Sequence, residues 1–309
     1  MTDVAVTLLS GGGGGAKLAQ GMARVVQDLT VVVNTADDAV LYGLSISPDI
    51  DTVMYTLAGR VNDAMGWGIE GETFAALEAM AALGEDTWFR LGDRDLATHI
   101  LRTHRLRAGA SLSQVTAQLC TALSVQPRIL PMTDDPVATR VDTVDGWLSF
   151  QEYFVRRGHR DEIVRYVLDG IEQAHPAPGV IAALSASDVV VLGPSNPFVS
   201  IGPILAVPGV RDALVRTSAR RVGVSPIVGG TAVKGPAAAM LAALGHEVSA
   251  LGVARMYVDV LDVLVIDQQD AHLAPAIIEL GMKVGVTQTM MGGVEGRERL
   301  ARDVLASIA

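Results

Sequence analysis

The sequence predicts an α/β protein with a Rossmann-like three-layer αβα core, in which a parallel sheet lies between two layers of helices. Continuous apolar runs are typical of strands that are buried on both faces of a parallel sheet. Helical patterns lie between such runs, in the order expected of a doubly wound sheet. The apolar runs are at 4–9, 29–34, 188–196, 221–230 and 262–267, and the intervening helical patterns include 16–27, 204–217 and 236–245.

The middle of the chain follows a different pattern. Residues 72–124 hold three helical stretches, and residues 127–155 have the alternation of a β-meander with a hairpin turn at "VDG". Helix starts are predicted at Thr73, Asp93 and Ser111, with C-terminal glycines at 84 and 109. We therefore expect a nucleotide- or phosphate-binding core formed by 1–57 and 176–309, and an inserted subdomain of helices and strands at 58–175.

The composition argues against several classes of protein. A net charge of −10 disfavours general nucleic-acid binding, which requires a basic surface. No apolar run approaches the ~20 residues of a membrane span, and the first residues lack the cationic region of a signal peptide. The single cysteine, Cys120, lies on an apolar helical face, where we expect it in the core. These features predict a cytoplasmic protein that binds neither nucleic acid nor membranes.

Five consecutive glycines, at 11–15, separate the first predicted strand from the first predicted helix. They match the dinucleotide fingerprint, but five glycines match almost any glycine pattern. A P-loop is disfavoured, because Leu18 stands where magnesium binding would need serine or threonine. Backbone amides at a helix N-terminus still attract an anion, so we predict a phosphate site, with a plain tight turn as the alternative. Its residues would be Gly11, Gly12, Gly13, Gly14 and Lys17.

Carboxylates gather after the second predicted strand, at the expected carboxyl edge of the sheet, where open α/β sheets bind ligands. Because hard cations take oxygen ligands, carboxylates beside a phosphate site indicate Mg²⁺. The alternative is that Asp37 and Asp49 only cap helices. The polar set is Asn34, Asp37, Asp38, Asp49 and Asp51, and the pattern leaves open which of its four carboxylates would bind the metal.

The segment 89–100, "FRLGDRDLATHI", is too polar for a core. Asp95 and His99 would be i, i+4 neighbours on a helix that starts near Asp93. The segment is either part of a polar site or a solvated helix N-terminus with local ion pairs.

Two later loops, at 192–205 and 223–238, each follow a valine-rich strand and present serine, glycine and proline before a helix. They offer small hydrogen-bonding groups to a nucleotide base or phosphate, and rigid turns are the alternative. The candidate residues are Ser195, Asn196, Ser200, Ser225, Gly229 and Lys234.

Taken together, these motifs resemble the 2-phospho-L-lactate transferase (CofD) family of coenzyme F420 biosynthesis. The resemblance runs from the first strand to about residue 267. It is carried by "SGGGGGAKLAQGM", "LTVVVNTADD", "ISPDIDTVMYTLAG", "WGIEGETF", "LGDRDLATHILR", "LRAGASLSQVT", "ILPMTDDPVAT", "GPSNPFVSIGPILAVPGVR", "VSPIVGG" and "KGPAA".

The resemblance implies an enzyme that transfers a phospholactyl or phosphoenolpyruvyl group. The donor would be a guanosine diphosphate adduct, the acceptor the deazaflavin alcohol Fo, the leaving group GMP and the cofactor Mg²⁺. The resemblance also implies deazaflavin binding by Asp51 and Arg90, and a homodimer. The glycine run departs from the family pattern, which usually has threonine at Gly13 or Gly15 and proline at Ala16.

The chemistry that the resemblance implies assigns catalytic roles to Asp51 and Asp38. It also implies metal ligation by Asp38, Asp49 and Asp51, with Asn34 on the phosphate side, and guanosine binding by the loops at 195–196 and 225–229. Two other classes of function compete with this interpretation. One is a regulatory protein of a related glycine-loop family that binds nucleotide sugars. The other is an NAD(P) oxidoreductase, which rests on the glycine fingerprint alone.

Overall fold

The protein is described by a computed structural model that covers residues 2–233 and 235–308. Its strands are β1 (Thr2–Ser10), β2 (Val26–Val33), β3 (Ala39–Leu41), β4 (Leu44–Ile46), β5 (Arg128–Pro131), β6 (Ala138–Thr143), β7 (Gly146–Ser149), β8 (Ile163–Asp169), β9 (Val189–Leu192), β10 (Arg220–Val224), β11 (Ile227–Val228), β12 (Thr231–Ala232), β13 (Val263–Asp267) and β14 (Lys283–Thr287). Its helices are α1 (Gly12–Val25), α2 (Pro48–Leu57), α3 (Ala75–Ala82), α4 (Asp93–Arg107), α5 (Leu112–Ala122), α6 (Val180–Ala186), α7 (Gly202–Ala206), α8 (Val210–Arg216), α9 (Ala237–Ala243), α10 (Ala250–Tyr257), α11 (Ala274–Glu279) and α12 (Gly293–Ala306).

The central sheet has seven strands in the order β14-β13-β10-β9-β1-β2-β5, and every neighbouring pair is parallel. From β1, the chain adds β2 and then β5 on one side of β1. It then returns and places β9 on the other side of β1. The strand order therefore reverses between β1 and β9. At such a reversal the loops that follow the two strands diverge and leave a crevice. The predicted parallel α/β core is confirmed.

Successive residues of one strand face opposite cores, because side chains alternate along a strand. In β9, Val190 and Leu192 pack with helices α6 to α11, while Val189 and Val191 pack with α1, α2, α5 and α12. This double burial explains why the strands are continuously apolar. Cys120 lies in the second of these cores, as predicted.

The inserted segment differs from its prediction in three elements: β5 belongs to the main sheet, residues 152–156 form a π-helical turn and not a strand, and β8 was not predicted. The stretch at 128–131 is not part of a meander: β5 pairs in parallel with β2 at the edge of the main sheet. Ile129 and Leu130 face the two different cores, which accounts for the pairing. The antiparallel sheet is β7-β6-β8, displaced along the chain to 138–169.

Several predicted helix ends agree with the structure. Ser111 caps α5 through a capping box with Gln114. Gly84 and Gly109 follow α3 and α4 with φ of +95° and +93°, the left-handed region that favours glycine. The predicted helix at 204–217 is instead two helices, α7 and α8, separated at Gly209 with φ +87°.

The last helix, α12, packs on α1 beside the crevice. A Cβ at Gly21 would overlap the Arg297 backbone, so glycine lets the two helices approach closely. In the described residues no single helix is long and apolar enough to cross a membrane. The segments Pro197–Ala206 and Val210–Arg216, bent by 84°, meet that length and composition only as a pair.

Candidate functional site

The glycine run is the first turn of a helix and not a separate loop. Gly11 is the N-cap residue of α1, and Gly12 begins the helix with φ +64°, where only glycine is unstrained. A Cβ at Gly14 would overlap the Pro194 carbonyl, and one at Gly15 would overlap the Ser10 hydroxyl. Gly13 has open space, with the Gly66 carbonyl as its nearest neighbour. The helix N-terminus thus lies against the loop that follows β9, at the strand reversal.

Ser195 joins the two loops of the crevice. Its hydroxyl donates to the Gly11 carbonyl at 2.6 Å and lies 3.3 Å from the Gly11 amide nitrogen, which donates to it. The side chain is buried. Ser195 therefore fixes the N-cap of α1 in this structure and has its hydroxyl engaged within the protein.

The other predicted nucleotide contacts also form turns. Asn196 accepts hydrogen bonds from the amides of Phe198 and Val199, at 2.9 and 3.4 Å, and so caps the π-helical turn Pro197–Ile201. Ser225 closes a turn with both backbone groups of Ile227.

The remaining members of that set lie in different surroundings. Gly229, with φ +57°, is exposed and donates its amide to the buried carboxylate of Asp270. Ser200 is buried against Gly11. Lys234 lies outside the described residues. The side chains of Asn196 and Ser225 therefore stabilise rigid turns, which was the alternative interpretation of these loops.

Asn34 joins the two acidic segments. It is completely buried, and its amide nitrogen lies 3.1 Å from a carboxylate oxygen of Asp37 and 3.0 Å from one of Asp49. The same nitrogen lies 3.1 Å from the Val199 carbonyl, and its side-chain oxygen accepts from the Ala36 amide. Asn34 therefore holds Asp37 and Asp49 side by side.

Burial raises the pKa of three carboxylates of this cluster. For Asp37 and Asp38 the loss of hydration is the main cause, and neighbouring carboxylates add to it. For Asp49 burial raises the pKa to about 6, against the opposing hydrogen bonds from Asn34 and the Gly12 backbone. One carboxylate oxygen of Asp37 and one of Asp38 are buried without a hydrogen-bond partner among the described residues. Such a cluster is suited to taking up protons or a cation.

Asp49 and Asp51 belong to the first turn of α2. The N-cap residue of that helix is Ser47. Its hydroxyl donates to Asp38 at 2.6 Å and makes no capping hydrogen bond. Neither Asp37 nor Asp49 is the N-cap residue of a helix, but Asp49 accepts a hydrogen bond from the backbone of Gly12, the first residue of α1.

Asp51 lies in a buried ion pair between α2 and α4. Both terminal nitrogens of Arg102 donate to its carboxylate, one to each oxygen. Arg102 has 0% of its surface exposed and Asp51 only 5%. His99 lies 3.2 Å from Arg102 and 3.2 Å from Asp95, which also accepts from the Tyr55 hydroxyl at 2.7 Å. The two helices are thus joined by a continuous polar network.

The predicted metal ligands do not come together as a set. Among the described residues, the one group of three whose ligand atoms lie within 4.8 Å of one another is Asp51, Asp95 and His99. Arg102 already binds both oxygens of Asp51, and Tyr55 and His99 contact Asp95, so a cation would have to displace these contacts. We interpret this group as an ion-pair network.

The surroundings of Arg90 differ from those of the buried Asp51. Its side chain is exposed and stacks over Phe74 at 4.3 Å from the ring centre. The neighbouring polar residues have a structural use. Asp93, in α4, accepts from the Ala75 and Ala76 amides of α3, and Glu72 accepts from the Arg94 and Asp95 amides of α4. Asp93 therefore caps the start of α3, and Glu72 caps the start of α4.

Lys17 is partly buried in the second turn of α1 and forms no ion pair or side-chain hydrogen bond with the residues that the structure describes. It is therefore a free cation near the crevice.

Sequence reasoning missed Arg102 and Tyr55. A signal was present, because Asp95, His99 and Arg102 follow the i, i+4, i+7 spacing of one helical face. Asp51 and Tyr55 have the same i, i+4 relation on α2. Each polar stripe indicates that its helix face needs polar partners, but the spacing does not say which residues supply them.

The amino end of α1 lies beside buried carboxylates at the strand reversal of a parallel sheet, which is where α/β proteins of this class have their ligand sites. The family model described as 2-phospho-L-lactate transferase CofD matches residues 6–286. The chain belongs to this family of transferases of coenzyme F420 biosynthesis, as the motifs indicated.

The relatives cover almost the whole chain. The phosphoenolpyruvate transferase of Streptomyces griseus is 45% identical, over 97% of this chain and 97% of its own. The 2-phospho-L-lactate transferase of Methanosarcina acetivorans is 41% identical, over 96% and 97%. A crystal structure of a UPF0052 family protein from Bacillus halodurans shares the fold, with a TM-score of 0.66 and 17% identity over 99% of this chain and 100% of its own.

Proposed function

We propose that the chain transfers a phospholactyl or phosphoenolpyruvyl group from a guanosine diphosphate adduct to the deazaflavin alcohol Fo and releases GMP. The observation that supports this best is the placement of the amide-rich N-terminus of α1 beside the acidic cluster. One crevice then offers amides for a diphosphate and carboxylates for a proton or a cation. The names of the relatives supply the kind of group that is transferred.

In the proposed step, the primary alcohol oxygen of Fo forms a bond to the phosphorus that carries the three-carbon acid. The bond from that phosphorus to the oxygen of the GMP phosphate breaks, and GMP leaves with the electron pair. The alcohol proton passes to a carboxylate of the enzyme. Such transfers depend mainly on positioning and on neutralising charge. The amides of Gly12 and Gly13 and the Lys17 ammonium would hold the diphosphate oxygens.

Asp38 is the proposed proton acceptor. Burial raises its pKa, and one of its oxygens has no hydrogen-bond partner among the described residues. Asp51 is a poorer base, because both of its oxygens accept from an arginine that stays charged. We assign Asp51 to binding and orienting the deazaflavin, with Arg90 as a contact from the exposed loop.

The acidic cluster fits magnesium. Asn34 holds Asp37 and Asp49 side by side, and one oxygen of Asp37 is buried without a partner among the described residues. Mg²⁺ is commonly held by one or two carboxylates together with substrate phosphates. We propose Asp37 and Asp49 as its ligands, with Asp38 adjacent. Bound there, Mg²⁺ would neutralise charge on the diphosphate.

Equilibrium titrations of the purified chain separate this function from the two others. We expect the chain to bind both GDP, with Mg²⁺, and Fo, which is followed by its own fluorescence. A nucleotide-sugar regulator would bind a uridine or guanosine nucleotide sugar and no Fo. An oxidoreductase would bind NAD(P) in preference to GDP. Absence of Fo binding at saturating GDP and Mg²⁺ would contradict the proposal. A cytoplasmic location and a homodimer stay predictions.

A further inference from the structure

We propose that Arg102 is the positioning residue for Asp51, and that it acts on deazaflavin binding through that carboxylate. This inference rests on the proposed function, in which Asp51 contacts the deazaflavin. Arg102 itself is completely buried in α4, so it reaches a ligand only through its neighbours.

The contact is specific to a guanidinium. Two nitrogens of one planar group donate to the two oxygens of one carboxylate, which fixes the rotation of the Asp51 side chain as well as its charge. A lysine would bring the same charge to a single point and would leave the carboxylate free to rotate.

The guanidinium is itself held from several sides. One terminal nitrogen lies 3.4 Å from the Ser45 carbonyl and 3.2 Å from the His99 ring nitrogen. The next residue, Thr103, binds the Ser45 amide at 2.7 Å. Arg102 is therefore held in place by several contacts, and it in turn holds the Asp51 side chain at the start of α2.

Arg102 also influences a second residue of the crevice. Its positive charge lowers the pKa of Asp38, against the larger effect of burial. The four aspartates thus differ in their surroundings: Asp51 is clamped by a fixed cation, whereas burial dominates at Asp37, Asp38 and Asp49.

The test is a double-mutant cycle with Asp51→Asn, Arg102→Lys and the two combined, read as the Kd for Fo from its fluorescence. We expect Arg102→Lys to raise this Kd about tenfold, the loss typical of a charge-assisted hydrogen bond. It should change the Kd for GDP by less than about twofold. In the Asp51→Asn background it should raise the Kd for Fo by less than about twofold. Arg297→Lys, at another buried arginine, which binds Gln20 and Asp63, is the matched control and should leave both Kd values unchanged.

Equal effects of Arg102→Lys in the wild-type and Asp51→Asn backgrounds would overturn this role, as would an equal loss of GDP affinity. If Arg102→Lys fails to fold, Arg102→Gln is measured in its place, again with and without Asp51→Asn. A loss of Fo affinity that is confined to the chain that retains Asp51 supports the role, and an equal loss in both chains overturns it. A wild-type chain that binds no Fo would overturn the proposed function and this role together, whereas additivity in a chain that binds Fo overturns the role alone.

Discussion

The carboxylate of Asp49 lies against Gly12 at the amino end of α1, where one of its oxygens is 3.6 Å from the position of a Cβ on that glycine. A hydrogen bond from the Gly12 backbone lowers the pKa of Asp49, although burial has the larger, opposite effect. A helix N-terminus attracts anions, so Asp49 holds the place that a phosphate of the substrate would take. If the substrate binds as proposed, it and Asp49 would compete for the same amides unless a cation lies between them.

We expect Asp49→Asn to bind GDP more tightly than the wild type when Mg²⁺ is absent, by about fivefold, because a competing anion has been removed. The same variant should lose most of the gain in GDP affinity that Mg²⁺ gives the wild type. Isothermal titration calorimetry with and without Mg²⁺ measures both effects. Asp28→Asn, an exposed position at the start of β2, controls for the change in net charge. Weaker GDP binding by Asp49→Asn without Mg²⁺ would contradict the competition.

The raised pKa of Asp49, about 6 in the folded protein against 3.8, predicts a pH dependence of stability without divalent cations. Between these values the folded chain binds more protons than the unfolded chain. The contribution of Asp49 to stability is therefore complete below about pH 4 and is lost as the pH rises through about 6.

Relative to Asp49→Asn, the wild-type free energy of unfolding should fall from pH 4.5 to pH 6.5, by at most about 1.4 kcal/mol per pH unit. Urea unfolding of both proteins at several pH values measures the difference. A difference that stays constant or grows with pH would show that Asp49 is not held in a desolvated position.

Gly14 and Gly13 should respond differently to alanine. A Cβ at Gly14 would overlap the Pro194 carbonyl, whereas Gly13 has open space. Gly14→Ala should destabilise the chain by about 1–3 kcal/mol, because α1 or the loop after β9 must shift. Gly13→Ala should be neutral or slightly stabilising, since alanine favours a helix. Thermal unfolding of the two variants compares them, and an equal loss would contradict the close packing of this loop.

Asn34 is the residue on which the arrangement of the carboxylates depends most. Asn34→Ala removes the shared donor between Asp37 and Asp49, and we expect a loss of about 1–3 kcal/mol in the free energy of unfolding. Mg²⁺ should restore part of this loss if the two carboxylates hold it. Chemical unfolding with and without Mg²⁺ measures this. Equal losses in both conditions would argue against a magnesium site at this pair.

The sequence predicted five of the seven strands of the central sheet, because strands buried on both faces must be apolar throughout. It did not predict β14, an edge strand whose residues are only partly buried or exposed. It placed β5 wrongly, since a four-residue apolar run is equally compatible with a meander and with a parallel edge strand. The start of α1 was also displaced: glycine has a low helix propensity, and only the contacts with Pro194 and Ser10 show why glycines form this turn.

For the site, the glycines and the acidic residues were found from the sequence, but their relations were not. Asp38, Asp49 and Asp51 looked alike along the chain. Only the tertiary structure separates Asp51, which is paired with Arg102, from the two aspartates whose surroundings raise their pKa. That pairing joins residues 51 positions apart, and no local pattern specifies such a distance.

The other assignments depend on the proposed transfer to Fo, and the release of GMP measures that transfer directly. The chain is mixed with Mg²⁺, Fo and, in separate reactions, the phospholactyl and the phosphoenolpyruvyl guanosine diphosphate adducts, and GMP and the phosphodiester of the deazaflavin are quantified by chromatography. We expect equal amounts of GMP and deazaflavin product with at least one adduct, and no GMP when Fo is omitted. GMP release at the same rate without Fo, or no release with either adduct, would contradict it.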